Sequence, residues 1–219
     1  MKPLYITYSN ELEPFNSMAN ELCHKVKKLN CGDCIHLHQS KPGAETNFSI
    51  AMYSMIFAEV KKIIVKRPII ILDADHILLK PIIEIFNGDW DVGAVYRSKC
   101  INKYGRHDYC SGLVLLNNRR PDRIIKFCYD WLHSMSSYIL SPGFCPEGLK
   151  QQGWQDTWWN DQASLNEIIT VDEVTFGKIY TIKGYRVLPL HWNKYTLPSK
   201  EAVILHLKGG RKKQWKKLI

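Results

Sequence analysis

The sequence predicts an α/β fold, a mixed and mostly parallel sheet flanked by helices, and two observations predict it. Strand and helix patterns alternate through the first 75 residues, the order that builds a parallel sheet with crossover helices. Residues 69 to 72, Ile-Ile-Ile-Leu, form an unbroken apolar run, as strands do when both of their faces are covered.

Each element has its own signal. Residues 3 to 8 are a short apolar strand that ends at Ser9 and Asn10. Between residues 11 and 29, Leu12, Phe15, Met18, Ala19, Leu22 and Val26 recur at helical spacing. Asn30 to Gly32 reads as a turn, and Cys34 to His38 alternates as a strand does. Residues 46 to 62 carry Phe48, Ile50, Ala51, Met55, Ile56 and Val60 at helical period. After the strand at 68–72, further strands are expected at 91–96 and 112–117, then a helix at 121–135. Residues 141–153 are rich in Pro and Gly and read as a loop. A helix at 161–169 and strands at 186–190 and 203–206 complete the pattern. There is no internal repeat and no low-complexity linker, so a single domain, 1–219, is expected.

Composition narrows the class of protein. With 45% hydrophobic residues over 219 positions, the chain can bury a sizeable core. No apolar run reaches the roughly 18 residues of a membrane span, and the start does not have the form of a secretory signal. A cytoplasmic protein is the expectation. The seven cysteines are odd in number and irregularly spaced, which suits reduced thiols better than a disulfide scaffold. Cys31 and Cys34, with His36 and His38 just beyond, read as plain turn and strand residues, with a zinc or redox site as the lesser alternative, since no distant second pair of ligands is visible. A net charge of +9 suits an anionic partner such as a nucleoside diphosphate, a nucleic acid or a charged membrane face. A basic surface kept for solubility is the plainer alternative.

The most informative segment is Ile69-Ile70-Ile71-Leu72-Asp73-Ala74-Asp75. In open α/β sheets ligands bind beyond the carboxyl ends of the strands, and here a buried strand ends in two carboxylates. Two such groups repel each other unless a cation lies between them, and Mg2+ or Mn2+ is the natural filling. Capping of the next turn is the structural alternative for both aspartates. The segment also resembles the first motif of haloacid-dehalogenase-type phosphatases, though Ile77 stands where that motif has Thr or Val.

Three further segments join it. They are Tyr109-Cys110-Ser111-Gly112-Leu113-Val114-Leu115-Leu116-Asn117, Trp159-Asn160-Asp161-Gln162-Ala163-Ser164-Leu165-Asn166, and Leu205-His206-Leu207-Lys208-Gly209-Gly210-Arg211-Lys212. With Leu72-Asp73-Ala74-Asp75 they resemble, in order, the Leu-Asp-x-Asp, Asn-Ala-Gly-Val-x-Leu-x-Asn, Asp-Gln-x-x-Leu-Asn and late His-x-x-Gly-x-x-Lys motifs of retaining glycosyltransferase family eight. That is the glycogenin and lipopolysaccharide galactosyltransferase type, with the GT-A (Rossmann-like) fold. The chain departs from the family at Cys110-Ser111, which replace Asn-Ala, and at Lys213-Gln214-Trp215, which replace Lys-Pro-Trp.

The resemblance implies a metal-dependent transferase acting on a nucleoside-diphosphate sugar, a UDP-sugar in the first place, with retention of anomeric configuration. It implies Mn2+ or Mg2+ held by Asp73, Asp75 and His206. It places the donor against Thr7, Tyr8, Asn10, Ser111, Gly112, Lys208, Gly209, Arg211 and Lys212, and gives Asp161 and Gln162 the sugar. Residues 1–118 would be the nucleotide and metal half, and 119–219 the acceptor side with the closing metal and phosphate segment. The acceptor is not written in these motifs. Trp154, Trp158 and Trp159 would serve as a stacking surface or as packing aromatics. The basic tail, Arg211 to Lys217, suits DNA or an anionic membrane glycolipid at the inner membrane face. A non-catalytic basic binding module is the contrasting class.

Overall fold

The structure is a computed structural model that describes residues 1–10, 14–39, 48–97, 101–102, 105–106, 108–140, 160–171, 173–207, 212 and 215. The expected loop at 141–153, with Trp154, Trp158 and Trp159, lies outside the described residues, as do Lys208, Gly209 and Arg211.

The main sheet contains β1 (Leu4–Asn10), β2 (Asp33–Gln39), β3 (Ile69–Asp73), β5 (Val92–Tyr96), β8 (Tyr109–Leu116), β9 (Tyr180–Ile182) and β10 (Tyr185–His191). Its order is β2-β1-β3-β8-β5-β10-β9. β1 is parallel to β2 and β3, and β5 is parallel to β10, whereas β8 runs antiparallel to both β3 and β5. The sheet is therefore mixed and mostly parallel, with β8 and the edge strand β9 reversed. The expected fold class is met.

The apolar run of β3 shows why both faces are covered. Ile69 and Ile71 pack into one cluster with helices α2 (Phe48–Ile63), α3 (Pro121–Leu140) and α4 (Asn160–Ile169), through residues such as Tyr53, Ile56, Trp131 and Leu165. Ile70 and Leu72 point the other way, into a second cluster with Leu22 and Val26 of α1 (Phe15–Lys28) and with Phe86 and Trp90. A period of two along the strand thus divides the core between the two faces of the sheet.

Two small ladders lie outside the main sheet. β6 (Ile101–Asn102) pairs with β7 (Gly105–Arg106). β4 (His76–Leu78) pairs antiparallel with β11 (Ile204–His206). The β4 strand was not expected from sequence, because three residues carry too little periodicity to be seen. Around this ladder Met18, Ile77, Leu205, Leu207 and Trp215 form a separate apolar cluster that fastens the end of the chain to α1.

The cysteines correct one expectation. Cys34, at the start of β2, is bonded to Cys23 of α1, with Cα atoms 5.1 Å apart. The reading of uniformly reduced thiols therefore fails at this pair, as does a Cys31/Cys34 metal or redox site, since Cys31 is a free, buried thiol. The sequence carried no sign of this pair because the helix packs Cys23 onto β2, a proximity that only folding creates. No helix among the described residues is long and apolar enough to cross a membrane.

Candidate active site

The site forms where β3 ends. Asp73 is its last residue, and Asp75 follows in the turn that leads into β4. That turn is clasped from the other side of the chain, since the Leu207 amide donates to the Asp75 carbonyl at 2.8 Å. His206 ends β11 directly opposite His76 in the ladder. Sequence-distant segments are thereby brought to one place, and Asp73, Asp75, His76 and His206 each offer a ligand atom within 4.8 Å of the others.

The distances around Asp75 are short. His206 Nε2 lies 3.1 Å from its Oδ1, and Lys212 Nζ lies 2.7 Å from its Oδ2. Burial pushes the Asp75 carboxyl up, but His206, His76 and Lys212 outweigh burial and hold it below the ordinary carboxylate range. Asp73 behaves in the opposite sense. Burial and the neighbouring Asp75 charge raise it, against the opposing pull of His76, Tyr8 and Lys212. The surroundings thus favour the ionised form of Asp75 and disfavour that of Asp73, a conflict that a bound cation would relieve.

Tyr8, Tyr53 and Ser111 lie between this centre and a third carboxylate, that of Asp161. The Tyr8 hydroxyl donates to Asp73 Oδ1, and the Tyr53 hydroxyl donates to Asp161 Oδ2 at 3.3 Å. Ser111 donates to Asp161, and the next residue, Gly112, abuts Asp73. A Cβ added at Gly112 would sit 2.6 Å from Asp73 Oδ2 and 3.0 Å from His76 Cε1. Only a residue without a side chain leaves that space open. Burial, with the charge of Asp73, pushes the Asp161 carboxyl up to about 6, against hydrogen bonds that include the one from Ser111.

The helix that carries Asp161 is pinned to the sheet. Asn166 Oδ1 accepts from the Tyr109 amide at 2.8 Å, and Asn166 Nδ2 donates to the Tyr109 carbonyl at 2.9 Å. Trp131 Nε1 donates to the Asp161 carbonyl at 2.9 Å. Gln162 follows, with its side-chain Nε2 buried and without a hydrogen-bond partner among the described residues.

Most of the residues singled out in the sequence converge here: Asp73, Asp75, His206, Tyr8, Ser111, Gly112, Asp161 and Lys212. Thr7 does not share their setting. β1 extends to Asn10, beyond the expected end at residue 8, so Asn10 is a strand residue as Thr7 and Tyr8 are. Thr7 is fully buried and its hydroxyl has no partner among the described residues. Two residues were missed, His76 and Tyr53. His76 adjoins the second aspartate, and that adjacency was a usable signal. Tyr53 lay inside a helical apolar pattern that nothing distinguished from core.

No protein-family model matches the chain, and no curated protein matches it by sequence. Solved structures do match it. A glycosyltransferase involved in the glycosylation of the major capsid of PBCV-1 superposes with a TM-score of 0.61 at 12% identity, covering 98% of this chain and 99% of that one. The glycosyltransferase GlyE of Streptococcus pneumoniae TIGR4 does so with a TM-score of 0.52 at 12% identity, covering 99% of this chain and 60% of that one. At these identities the likeness defines a fold, and that fold is the GT-A-like fold of the two glycosyltransferases.

Proposed function

We propose that this chain is a metal-dependent glycosyltransferase of the family-eight type. It would move a sugar from a nucleoside-diphosphate sugar, a UDP-sugar first among them, to a hydroxyl acceptor with retention of configuration. The observation that carries the reading is the Asp73, Asp75, His76 and His206 cluster at the carboxyl end of a central strand, donors within 4.8 Å of one another, in a fold shared with glycosyltransferases.

In this reading Asp73, Asp75 and His206 hold Mn2+ or Mg2+. The donor set fits, because carboxylate oxygens suit both ions and an imidazole favours Mn2+. When bound, the ion supplies Lewis-acid stabilisation of the departing nucleoside diphosphate. The protein does the rest. Lys212, with Lys208, Gly209 and Arg211 beside it in sequence, neutralises the diphosphate. Tyr8 and Asn10 border the nucleoside, and Thr7 supports β1 from the interior. Ser111 and Gly112 form the floor under the sugar, and Asp161 and Gln162 bind its hydroxyls. The buried Gln162 amide lacking a partner is the kind of donor that a sugar hydroxyl satisfies.

The acceptor class follows from charge rather than from the site. A net charge of +9 suits an anionic glycan or glycolipid, or a modified base in DNA. The haloacid-dehalogenase reading is weaker, since Ile77 serves an apolar cluster and the fold likeness points elsewhere. A binding module without catalysis would have no need of clustered carboxylates and imidazoles.

The test is nucleotide-sugar hydrolysis without acceptor, across UDP-, GDP- and CMP-sugars, with Mn2+, with chelator and with Asp75→Asn. Slow metal-dependent release from one donor, lost in the variant, supports the proposal. No release from any donor, with no thermal shift by any nucleotide plus Mn2+, overturns it.

A further inference from the structure

The two histidines of the cluster are partners in a ladder. His76 and His206 face each other across β4 and β11, so both side chains emerge on the same side of that ladder. Their rings stack, with centroids 4.1 Å apart and planes 27° apart. Both are nearly sealed from solvent, at 1% and 7% side-chain exposure.

The spacing of donors around Asp75 is that of ligands on one ion. Ligands about 2.1 Å from a metal lie roughly 3.0 Å apart at a right angle and about 3.4 Å apart at a tetrahedral angle. His206 Nε2 is 3.1 Å and His76 Nδ1 is 3.5 Å from Asp75 Oδ1. The second distance is long for a hydrogen bond. His76 Nδ1 instead hydrogen-bonds to the Asp73 carbonyl oxygen at 3.2 Å, the outer bond that orients a metal-binding imidazole and leaves Nε2 for the ion. Gly112 keeps the gap between His76 and Asp73 free of any side chain, since a Cβ there would crowd both.

We infer that His76 is a fourth metal ligand, so that the centre offers two carboxylates and two imidazoles and selects a first-row transition ion over Mg2+. This rests on the metal-dependent reading above and goes further, because a single imidazole leaves Mg2+ a workable occupant whereas two do not. Mg2+ demands octahedral oxygen ligation, and imidazole donors favour Mn2+, Co2+ or Zn2+.

The test is a direct count of nitrogens on the bound ion. Pulsed electron paramagnetic resonance of Cu2+-loaded full-length protein is expected to show two coupled imidazoles. His76→Gln and His206→Gln, checked for folding by circular dichroism, are each expected to show one. Calorimetry is expected to give Mn2+ binding at least tenfold tighter than Mg2+ in the wild type, with that preference reduced in His76→Gln. One imidazole in the wild type, or equal Mn2+ and Mg2+ affinity, overturns the inference while the transferase reading stands. The wild-type count needs no variant, so misfolding of His76→Gln would not blunt it. Absence of binding by any of these ions would remove both readings together.

Discussion

The side-chain amide of Asn166 clamps the backbone of Tyr109 in both directions, accepting from its amide at 2.8 Å and donating to its carbonyl at 2.9 Å. That clamp explains the end of the Asp-Gln-x-x-Leu-Asn pattern in physical terms. It fixes α4 to β8, and so sets Asp161 against Ser111.

Asn166→Ala removes both bonds and strands a buried amide and a buried carbonyl. A loss of about 2 to 4 kcal/mol in unfolding free energy is expected, read by urea denaturation at neutral pH. Asn166→Asp keeps one acceptor and should recover part of the loss. A change below the error of the extrapolation would show that the clamp is dispensable.

Asp161 makes stability depend on pH in a defined sense. Its carboxyl is raised in the folded protein from 3.8 to about 6, so between those values the native state holds a proton that the unfolded chain has released. Stability is full below the lower value and falls as pH rises through the upper one, by at most ~3 kcal/mol. Asp161→Asn cannot titrate, so the variant should gain on the wild type between pH 4 and pH 7. Parallel denaturation curves at the two pH values, with no change in the difference, would contradict this.

Lys212 sits on Asp75 at 2.7 Å, in the position of a resident cation. Under the proposed function it serves both the carboxylate and the incoming diphosphate. Lys212→Met should therefore leave Mn2+ affinity equal or improved while weakening UDP binding several-fold. Calorimetry with each ligand separates the two effects. A variant that loses Mn2+ affinity and keeps UDP affinity would reverse the assignment.

The Cys23–Cys34 bond closes a loop of sequence separation 11. Constraining the unfolded chain in this way contributes about 3 kcal/mol, so reduction should lower Tm by roughly 6 to 12 °C. Peptide mapping after alkylation in denaturant without reductant should recover Cys23 linked to Cys34 and Cys31 labelled. Seven alkylated cysteines, the full number in the chain, would mean that the bond does not form.

The sequence alone determined the elements whose signals are local. The Ile69–Leu72 run announced a strand covered on both faces, and helical spacing of Met18, Leu22 and Val26 announced α1, because burial periodicity is written into neighbouring residues. The Asp73 and Asp75 pair was legible for the same reason: both carboxylates sit within three residues of one strand end. What tertiary structure decided was every relationship between distant segments. The reversal of β8, the pairing of His76 with His206, the choice of Cys23 over Cys31, and the reach of Tyr53 to Asp161 depend on which surfaces meet. Contacts across 65 residues (Tyr8 to Asp73) or 108 residues (Tyr53 to Asp161) leave no periodic trace in the chain. They are set by packing, and packing is settled only when the whole core forms.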